Sequence, residues 1–161
     1  MTVPQVRLRP VAPADEPLLF EIYAASRADE LAQVPWSDEQ RQAFLTHQHR
    51  AQVASYRATF PDATYLVIEL ADGRSIGRLY RARQAGEIHV IDIALLPEWR
   101  GRGVGTALLR DVLAEADRER VDVTLYVELS NRAWGLYRRL GFVEVERGEV
   151  YALLRRAPAV S

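Results

Sequence analysis

The chain has 161 residues, of which 48% are hydrophobic and 27% are charged, with a formal net charge of -1 at pH 7. This composition is that of an ordinary globular protein, and we interpret residues 1–161 as a single domain. Because the net charge is close to zero, we expect neither nucleic-acid nor membrane partners. The chain has no cysteine, and its 21 basic residues are all Arg, so disulfides, thiolate nucleophiles, cysteine-ligated zinc and a P-loop lysine are excluded.

The N-terminal half predicts a strand, two helices and a β-hairpin. A helical apolar stripe follows Asp15, which is a candidate N-cap. Ser37 and Gln40 have the spacing of a capping box, which predicts the start of a longer polar helix. The predicted elements are a strand at 6–10, a helix after Asp15, a helix to about Thr59, and strands at 65–70 and 75–80.

The C-terminal half alternates strands and helices. Its predicted elements are a strand at 87–96, an amphipathic helix at 104–116, a strand at 121–127, a helix at about 131–140, and a hairpin of strands 142–146 and 150–154. Gly141 is a natural C-cap for the last helix. The element order predicts an α/β (α+β) layered architecture with a mixed sheet.

A glycine-rich turn joins the strand 87–96 to the strongest helix. Gly101, Gly103 and Gly105 allow the backbone N–H groups to point inward, and the helix N-terminus adds its own free donors. Arg100 and Arg102 add positive charge, so the turn suits a pyrophosphate. The dinucleotide-binding fingerprint fails because Thr106 stands where it requires glycine. The alternative is a tight strand-to-helix connection without a ligand.

Two segments together resemble the GNAT acyltransferases. Arg100-x-x-Gly103-x-Gly105 matches the signature R/Q-x-x-G-x-G/A of that family, and residues 131–142 resemble its segment N-x-A-x-x-x-Y-x-x-x-G-F. One helix and one strand separate the two motifs, as in that fold. The resemblance implies a mixed, mostly antiparallel sheet of about seven strands, with four helices packed on its faces.

The resemblance also implies a binding site for acetyl-CoA as acyl donor. The strand 87–96 would splay from its neighbour and carry a bulge, so that backbone groups near Ile93 and Leu95 pair with the pantetheine arm. Asn131 would contact the cofactor arm, although Ser130 fits the motif in the alternative register. The residues implied at the pyrophosphate are Arg100, Gly101, Arg102, Gly103, Val104, Gly105 and Thr106.

Acetyl transfer to an amine needs a proton acceptor, an oxyanion donor and a proton donor for the departing sulfur. The resemblance implies Tyr137 as the proton donor and a backbone N–H of the strand 87–96 as the oxyanion donor. His89 is the first candidate for the base because histidine titrates near neutral pH. Asp92, Glu128 and a chain of water molecules are the alternatives.

The leading hypothesis is an N-acetyltransferase acting on a small-molecule or protein amine. A non-catalytic acyl-CoA-binding sensor or scaffold is the main alternative, and an unliganded interaction domain is a third. Trp36 and Tyr56 are candidates for an acceptor pocket, and the resemblance implies that a homodimer can form through the terminal strands. We expect no metal, because His47 and His49 do not share a helix face. We expect a cytoplasmic location, because the chain has neither a signal-peptide core nor an apolar run near ~18 residues.

Overall fold

The computed structural model describes residues 2–159 and contains one seven-stranded sheet. The strand order is β1-β2-β3-β4-β5-β7-β6, in which β4 and β5 are parallel and every other neighbouring pair is antiparallel. The strands are β1 (Val6–Pro10), β2 (Thr64–Leu70), β3 (Ser75–Gln84), β4 (Glu87–Leu95), β5 (Asp122–Glu128), β6 (Val143–Arg147) and β7 (Tyr151–Arg156).

Four helices complete the fold: α1 (Glu16–Ala32), α2 (Asp38–Thr59), α3 (Val104–Glu119) and α4 (Trp134–Arg139). The predicted capping box at the start of α2 is confirmed, because Gln40 N donates to Ser37 Oγ (3.1 Å) and Ser37 N donates to Gln40 Oε1 (2.8 Å). Together with the sheet, these helices confirm the predicted mixed, mostly antiparallel architecture. The interpretation of residues 1–161 as a single domain stays a prediction, and Met1, Val160 and Ser161 lie outside the described residues.

The face of the sheet beneath α3 is packed with aliphatic side chains. Every buried residue of this helix is apolar, as its amphipathic pattern predicts: Val104, Leu108, Leu109, Val112, Leu113 and Ala116. They pack against alternate residues of the strands, including Ile68, Ile88 and Val123. Each such side chain contributes about 1.5–3 kcal/mol through its burial, so this layer is the main source of stability.

The opposite face is covered by α1 and α2 and contains buried polar groups. Asp15 occupies the N-cap position of α1, but its carboxylate does not cap the helix. It instead accepts hydrogen bonds from Arg9 Nη1 (2.8 Å) and Nη2 (2.7 Å) and from Ala12 N (2.7 Å). His49 of α2 is buried, and its Nε2 lies 2.9 Å from Glu16 Oε1 at the start of α1.

The last helix is shorter than the sequence predicts. Asn131 Oδ1 accepts a hydrogen bond from Ala133 N (2.7 Å), and this local turn delays the helix until Trp134. Within residues 2–159, no helix is both long enough and apolar enough to cross a membrane.

Candidate active site

The parallel pair β4–β5 separates after four residues. Its ladder runs from Glu87 opposite Asp122 to Val90 opposite Leu125. Beyond that point β4 pairs with β3 alone, and the end of β5 pairs with β7 alone. A cleft therefore opens between the carboxyl ends of two adjacent strands, at the centre of the sheet.

A β-bulge marks the point of separation. Tyr80 of β3 lies opposite Asp92, whereas Arg81 lies opposite Val90, so Ile91 is an extra residue on β4. A bulge bends its strand and disrupts the ladder, which explains why β4 leaves β5 here. The splay and the bulge that the resemblance implies are both present.

Ile93 and Leu95 direct their backbone groups into this cleft. Leu96 N donates to Ile76 O on β3 (2.8 Å), and successive residues of a strand direct their backbone groups to opposite edges. The groups of Leu95 and Ile93 therefore face away from β3. Arg100 Nε donates to Leu95 O (3.2 Å), which leaves the N–H of Leu95 and both groups of Ile93 at the cleft wall.

The glycine turn stands at the wide end of the cleft. Gly101 and Gly103 have φ values of +73° and +86°, a left-handed conformation that favours glycine. In the part of the chain that the structure describes, no backbone N–H from Gly101 to Thr106 donates a hydrogen bond to a protein acceptor. A Cβ added at Gly101 would have no heavy atom within 4 Å, so the backbone there is open to a ligand.

These features fit an anionic diphosphate. The free N–H groups of the turn are followed by the start of α3, where the positive end of the helix dipole lies. The guanidinium of Arg102 lies 4.6 Å from the centroid of the Trp99 ring, beside the turn, and that of Arg74 stacks on the same ring at 5.4 Å. Arg100 adds a third guanidinium.

Tyr137 approaches from the side of the sheet that carries α3. Its ring is half-buried on α4 and meets Phe142 at a centroid distance of 5.9 Å. Burial raises the pKa of its hydroxyl, and the negative charge of Asp92 raises that pKa further. The phenol therefore stays protonated at neutral pH and can act as a proton donor.

Asp92 lies on the opposite side of β4, beneath α1 and α2. Its carboxylate forms an ion pair with the buried guanidinium of Arg78. The pKa of Tyr56 is raised by burial and then by the charge of Asp92. Asp92 therefore influences both Tyr137 and the aromatic groups beneath the two N-terminal helices.

His89 lies in the closed part of the β4–β5 pair, three residues before Asp92. It is 5% exposed, its ring stacks on Phe60 at 5.4 Å, and its Nδ1 lies 2.9 Å from Thr124 Oγ1. Thr124 donates its hydroxyl proton to Glu87, so the oxygen is left to accept from His89 Nδ1–H. This network assigns the tautomer with an unprotonated Nε2. Burial lowers the pKa of His89, against the opposing effect of Glu87, so the ring is neutral at neutral pH.

The remaining candidates cluster at the turn after β5. Asn131 is exposed, and its Oδ1 accepts from Ala133 N, so its amide N–H groups are left for a ligand. Ser130 and Glu128 are also exposed. Asp92 and Ile93 thus lie on the strand that borders the cleft, Tyr137 packs against the aliphatic layer beneath α3, and His89 lies in the closed part of the β4–β5 pair.

The sequence prediction missed the ion pair between Arg78 and Asp92. The signal was an arginine inside the apolar run of β3, where a charged side chain requires a buried partner. Tyr56, one of the two aromatic candidates for an acceptor pocket, lines a cavity beneath α1 and α2, and its role there stays a prediction. Trp36 packs on Phe44 instead, at a centroid distance of 5.1 Å.

Comparisons with known proteins agree with this geometry. Residues 33–154 match the family model described as an acetyltransferase (GNAT) domain. A GCN5-like protein acetyltransferase of Mycobacterium tuberculosis is 42% identical over 71 residues, which are 43% of this chain and 34% of that protein. A mycothiol acetyltransferase of Clavibacter sepedonicus is 33% identical over 118 residues, which are 66% of this chain and 38% of that protein. The chain thus spans well under half the length of these two relatives.

The fold is also found among solved structures. The PaiA N-acetyltransferase of Thermoplasma acidophilum, in complex with coenzyme A, superimposes with a TM-score of 0.69 and 18% identity. The alignment covers 95% of this chain and 99% of that one. Because the family model matches three quarters of the sequence and includes both the cleft and the glycine turn, this chain belongs to the GNAT superfamily of N-acetyltransferases.

Proposed function

We propose that this chain is an acetyl-CoA-dependent N-acetyltransferase, which moves an acetyl group to a primary amine by direct attack in a ternary complex. The observation that carries the proposal is the cleft between β4 and β5 with unpaired N–H groups from Gly101 to Thr106 at its wide end. Backbone donors of the cleft would act together with the phenol of Tyr137 as proton donor, and these are the groups that acyl transfer requires.

Each part of the cleft has a role in binding the donor. The N–H groups from Gly101 to Thr106 would bind the pyrophosphate, with Arg100 and Arg102 supplying charge. Ile93 and Leu95 would pair with the pantetheine arm, and Asn131 would donate its amide N–H to it. When bound, acetyl-CoA supplies the acetyl group as a thioester.

The reaction joins the acceptor nitrogen to the acetyl carbon and breaks the carbon–sulfur bond. An N–H of Ile93 or Leu95, which faces the cleft, would stabilise the negative charge that develops on the acetyl oxygen; one such donor contributes about 10²–10³-fold. The Tyr137 hydroxyl would donate its proton to the departing sulfur. A positioned acid of this kind contributes about 10²–10⁴-fold.

The acceptor must also lose protons. We propose His89 as the base, because its hydrogen bond to Thr124 leaves Nε2 free to accept a proton. Asp92 is the second candidate, since its charge raises the pKa of Tyr137. Glu128 and a water chain are weaker alternatives, because Glu128 is exposed and the structure gives its carboxylate no hydrogen-bond partner within residues 2–159.

The names of the relatives do not agree on one acceptor. One is named as a protein acetyltransferase and another as a mycothiol acetyltransferase. Both a small-molecule amine and a protein amine therefore belong to the proposal. A homodimer also stays a prediction; β6 is the edge strand that could mediate it, with Val143 and Val145 exposed.

Titration of the full chain with acetyl-CoA, followed by calorimetry, tests the proposal. We expect saturable binding in a range of roughly 1 μM to 1 mM, and release of free thiol when an amine acceptor is added. Binding without thiol release for any amine would support the non-catalytic acyl-CoA-binding module instead. Absence of binding would overturn both functions.

A further inference from the structure

A cavity of about 190 Å³ lies between the sheet and the two N-terminal helices. It is separate from the cleft that would hold the donor, because its lining comes from α1, α2, β2, β3 and the segment before α1. Most of the lining is apolar or aromatic and includes Leu19, Val53, Tyr56, Tyr65 and Tyr80. Since a water molecule occupies about 30 Å³ in the liquid, the cavity suits a small organic molecule rather than a folded partner.

A buried guanidinium forms part of the cavity wall. Arg78 is 4% exposed, and its Nη2 donates to Gln52 Oε1 (3.2 Å) and pairs with Asp92. Its Nε is buried and has no hydrogen-bond partner within residues 2–159. A buried N–H without an acceptor is unfavourable, and an acceptor oxygen of a ligand that reaches it by a small adjustment would satisfy it.

The charges that line the cavity favour an anionic ligand group. Arg57 is exposed and stacks on Tyr65 at 4.9 Å, and no carboxylate of the described chain lies within 4.0 Å of its guanidinium. The one acidic residue of the lining, Glu16, has 61% of its side chain exposed, and its Oε1 lies 2.9 Å from His49 Nε2. Two guanidiniums therefore border the cavity, and one of them, Arg78, pairs with the carboxylate of Asp92 on β4.

Asp92 belongs to β4, the strand that borders the cleft, and lies directly after the bulge. Its carboxylate pairs with Arg78 of the cavity wall. An arginine beside an aspartate is complementary to a molecule that carries a carboxylate next to an ammonium group. An α-amino acid has this arrangement.

We propose that the cavity binds the acceptor and that the acceptor is a free amino acid with an apolar or aromatic side chain. Arg78 and Arg57 bind its carboxylate, the tyrosines surround its side chain, and Asp92 holds its ammonium group at the cleft. The catalytic part of this inference rests on the proposed function, whereas the binding part does not.

The chemistry then balances. The ammonium group loses one proton to the base, the neutral nitrogen bonds to the acetyl carbon, and the carbon–sulfur bond breaks. The nitrogen releases a second proton, and the sulfur takes one from Tyr137, which is reprotonated from solvent. The products are an N-acetyl amino acid, a free thiol and one net proton.

The first experiment compares amino acids with the amines that lack their carboxylate. L-Leucine and L-phenylalanine are each titrated into the full chain, with and without coenzyme A, beside 3-methylbutylamine and 2-phenylethylamine. Because hydrogen bonds to a charged group are stronger than those between neutral groups, we expect each amino acid to bind at least about tenfold more tightly than its amine. With acetyl-CoA present, kcat/KM should show the same preference. Equal binding, or preferential transfer to the amines or to a peptide N-terminus, would overturn the inference.

The second experiment removes the charge at the cavity mouth. Arg57→Gln should weaken amino-acid binding about tenfold and leave amine binding unchanged, because only an amino acid has a carboxylate that Arg57 binds. Arg50→Gln is the matched control, since Arg50 is exposed on the same helix and does not line the cavity. Arg78→Lys, which retains the charge without the forked donors, should have the same selective effect. An equal loss of affinity for amines and amino acids would contradict carboxylate recognition. Because Arg57 is exposed, this test does not depend on whether the buried variant Arg78→Lys folds.

The two proposals fail in different ways. If the amino acids bind and acetyl-CoA does not, the cavity assignment stands and the proposed function fails. If acetyl-CoA binds and its acetyl group moves only to acceptors without a carboxylate, the amino-acid assignment fails and the proposed function stands.

Discussion

The two faces of the central sheet differ in chemistry. The face beneath α3 is packed with aliphatic side chains, whereas the face beneath α1 and α2 carries the polar side chains that the structure buries within residues 2–159: Asp15, His49, Glu69, Arg78, His89 and Thr124. Aliphatic packing is non-directional and stabilises the fold in proportion to its area. A buried polar group needs a partner at a defined distance, so the second face fixes the positions of its side chains and of the charges they carry. The cleft between β4 and β5 is where the two faces meet.

Tyr137 lies on the apolar side but is the proposed proton donor, and changing it should have the largest effect. Tyr137 packs with the apolar side, but its hydroxyl lies within the electrostatic reach of Asp92. Tyr137→Phe keeps the ring and removes the proton donor, so kcat should fall about 10²–10⁴-fold while the affinity for acetyl-CoA stays the same. Thiol-release kinetics and calorimetry measure the two quantities. An unchanged kcat would remove Tyr137 from the mechanism.

A substitution that opens a cavity in the apolar face should lower the free energy of unfolding without a specific effect on ligand binding. Leu109 is 2% exposed in the centre of α3, and Leu109→Ala should lower the free energy of unfolding by about 2–5 kcal/mol. Leu8→Ala, at a leucine of β1 that is 40% exposed, should cost clearly less. Urea denaturation measures both. Equal losses would mean that the α3 layer is not the main source of stability.

The glycine turn allows a smaller and more specific test. Gly101→Val places a branched side chain at the open backbone of the turn, which should weaken acetyl-CoA binding by at least about tenfold, or ~1.4 kcal/mol. Gly86→Val is the matched control, because Gly86 has the same left-handed backbone (φ +72°) and open surroundings, but lies in the β3–β4 turn. Both variants should lose about 1–2 kcal/mol of stability through backbone strain. Equal affinities of the two variants for acetyl-CoA would mean that the pyrophosphate binds elsewhere. Gly103 is a poorer choice, because a Cβ there would lie 3.0 Å from Val3 Cγ2.

The smallest expected effect is a pH dependence of the free energy of unfolding, which arises from the polar face. The pKa of His89 in the folded protein is lowered below its usual value of 6.5 by burial. The unfolded chain therefore binds more protons just below pH 6.5, and the free energy of unfolding should decrease as pH falls through that region, by at most about 1.4 kcal/mol per pH unit. Denaturation midpoints between pH 7.5 and 5 measure the slope. His89→Gln should reduce it, whereas His47→Gln, at an exposed histidine, should not. An unchanged slope in His89→Gln would assign the effect to another group.

The C-terminal half of the chain could be predicted well from its sequence. The predicted glycine turn is present, with Gly101 and Gly103 in left-handed conformations, and α3 buries the side chains of its predicted apolar stripe. These features depend on neighbours within a few residues, so a short segment is enough to specify them. The exception in this half is α4, which begins later than predicted because the side chain of Asn131 accepts a hydrogen bond from the backbone N–H of Ala133.

The N-terminal half was predicted only as a list of elements. Its Asp15 was expected to cap a helix, but forms an ion pair with Arg9 of β1 instead. Tyr56 was one of two aromatic candidates for an acceptor pocket, and the sequence did not distinguish it from Trp36. The alternation of β3 did not show which carboxylate would pair with Arg78, because that partner is on another strand.

The sequence by itself therefore determined the order of the elements, the glycine turn and the identity of the proton-donor candidate, because periodicity, turn chemistry and motif spacing are local properties. Only the tertiary structure decided that β4 separates from β5 at Ile91, that Asp92 pairs with Arg78, and that Tyr137 approaches from the opposite side. These relations join residues far apart along the chain, and their geometry follows from how strands register and helices pack. The same reason explains why the glycine turn could be predicted from its motif, whereas the cavity beneath α1 and α2 required the folded chain.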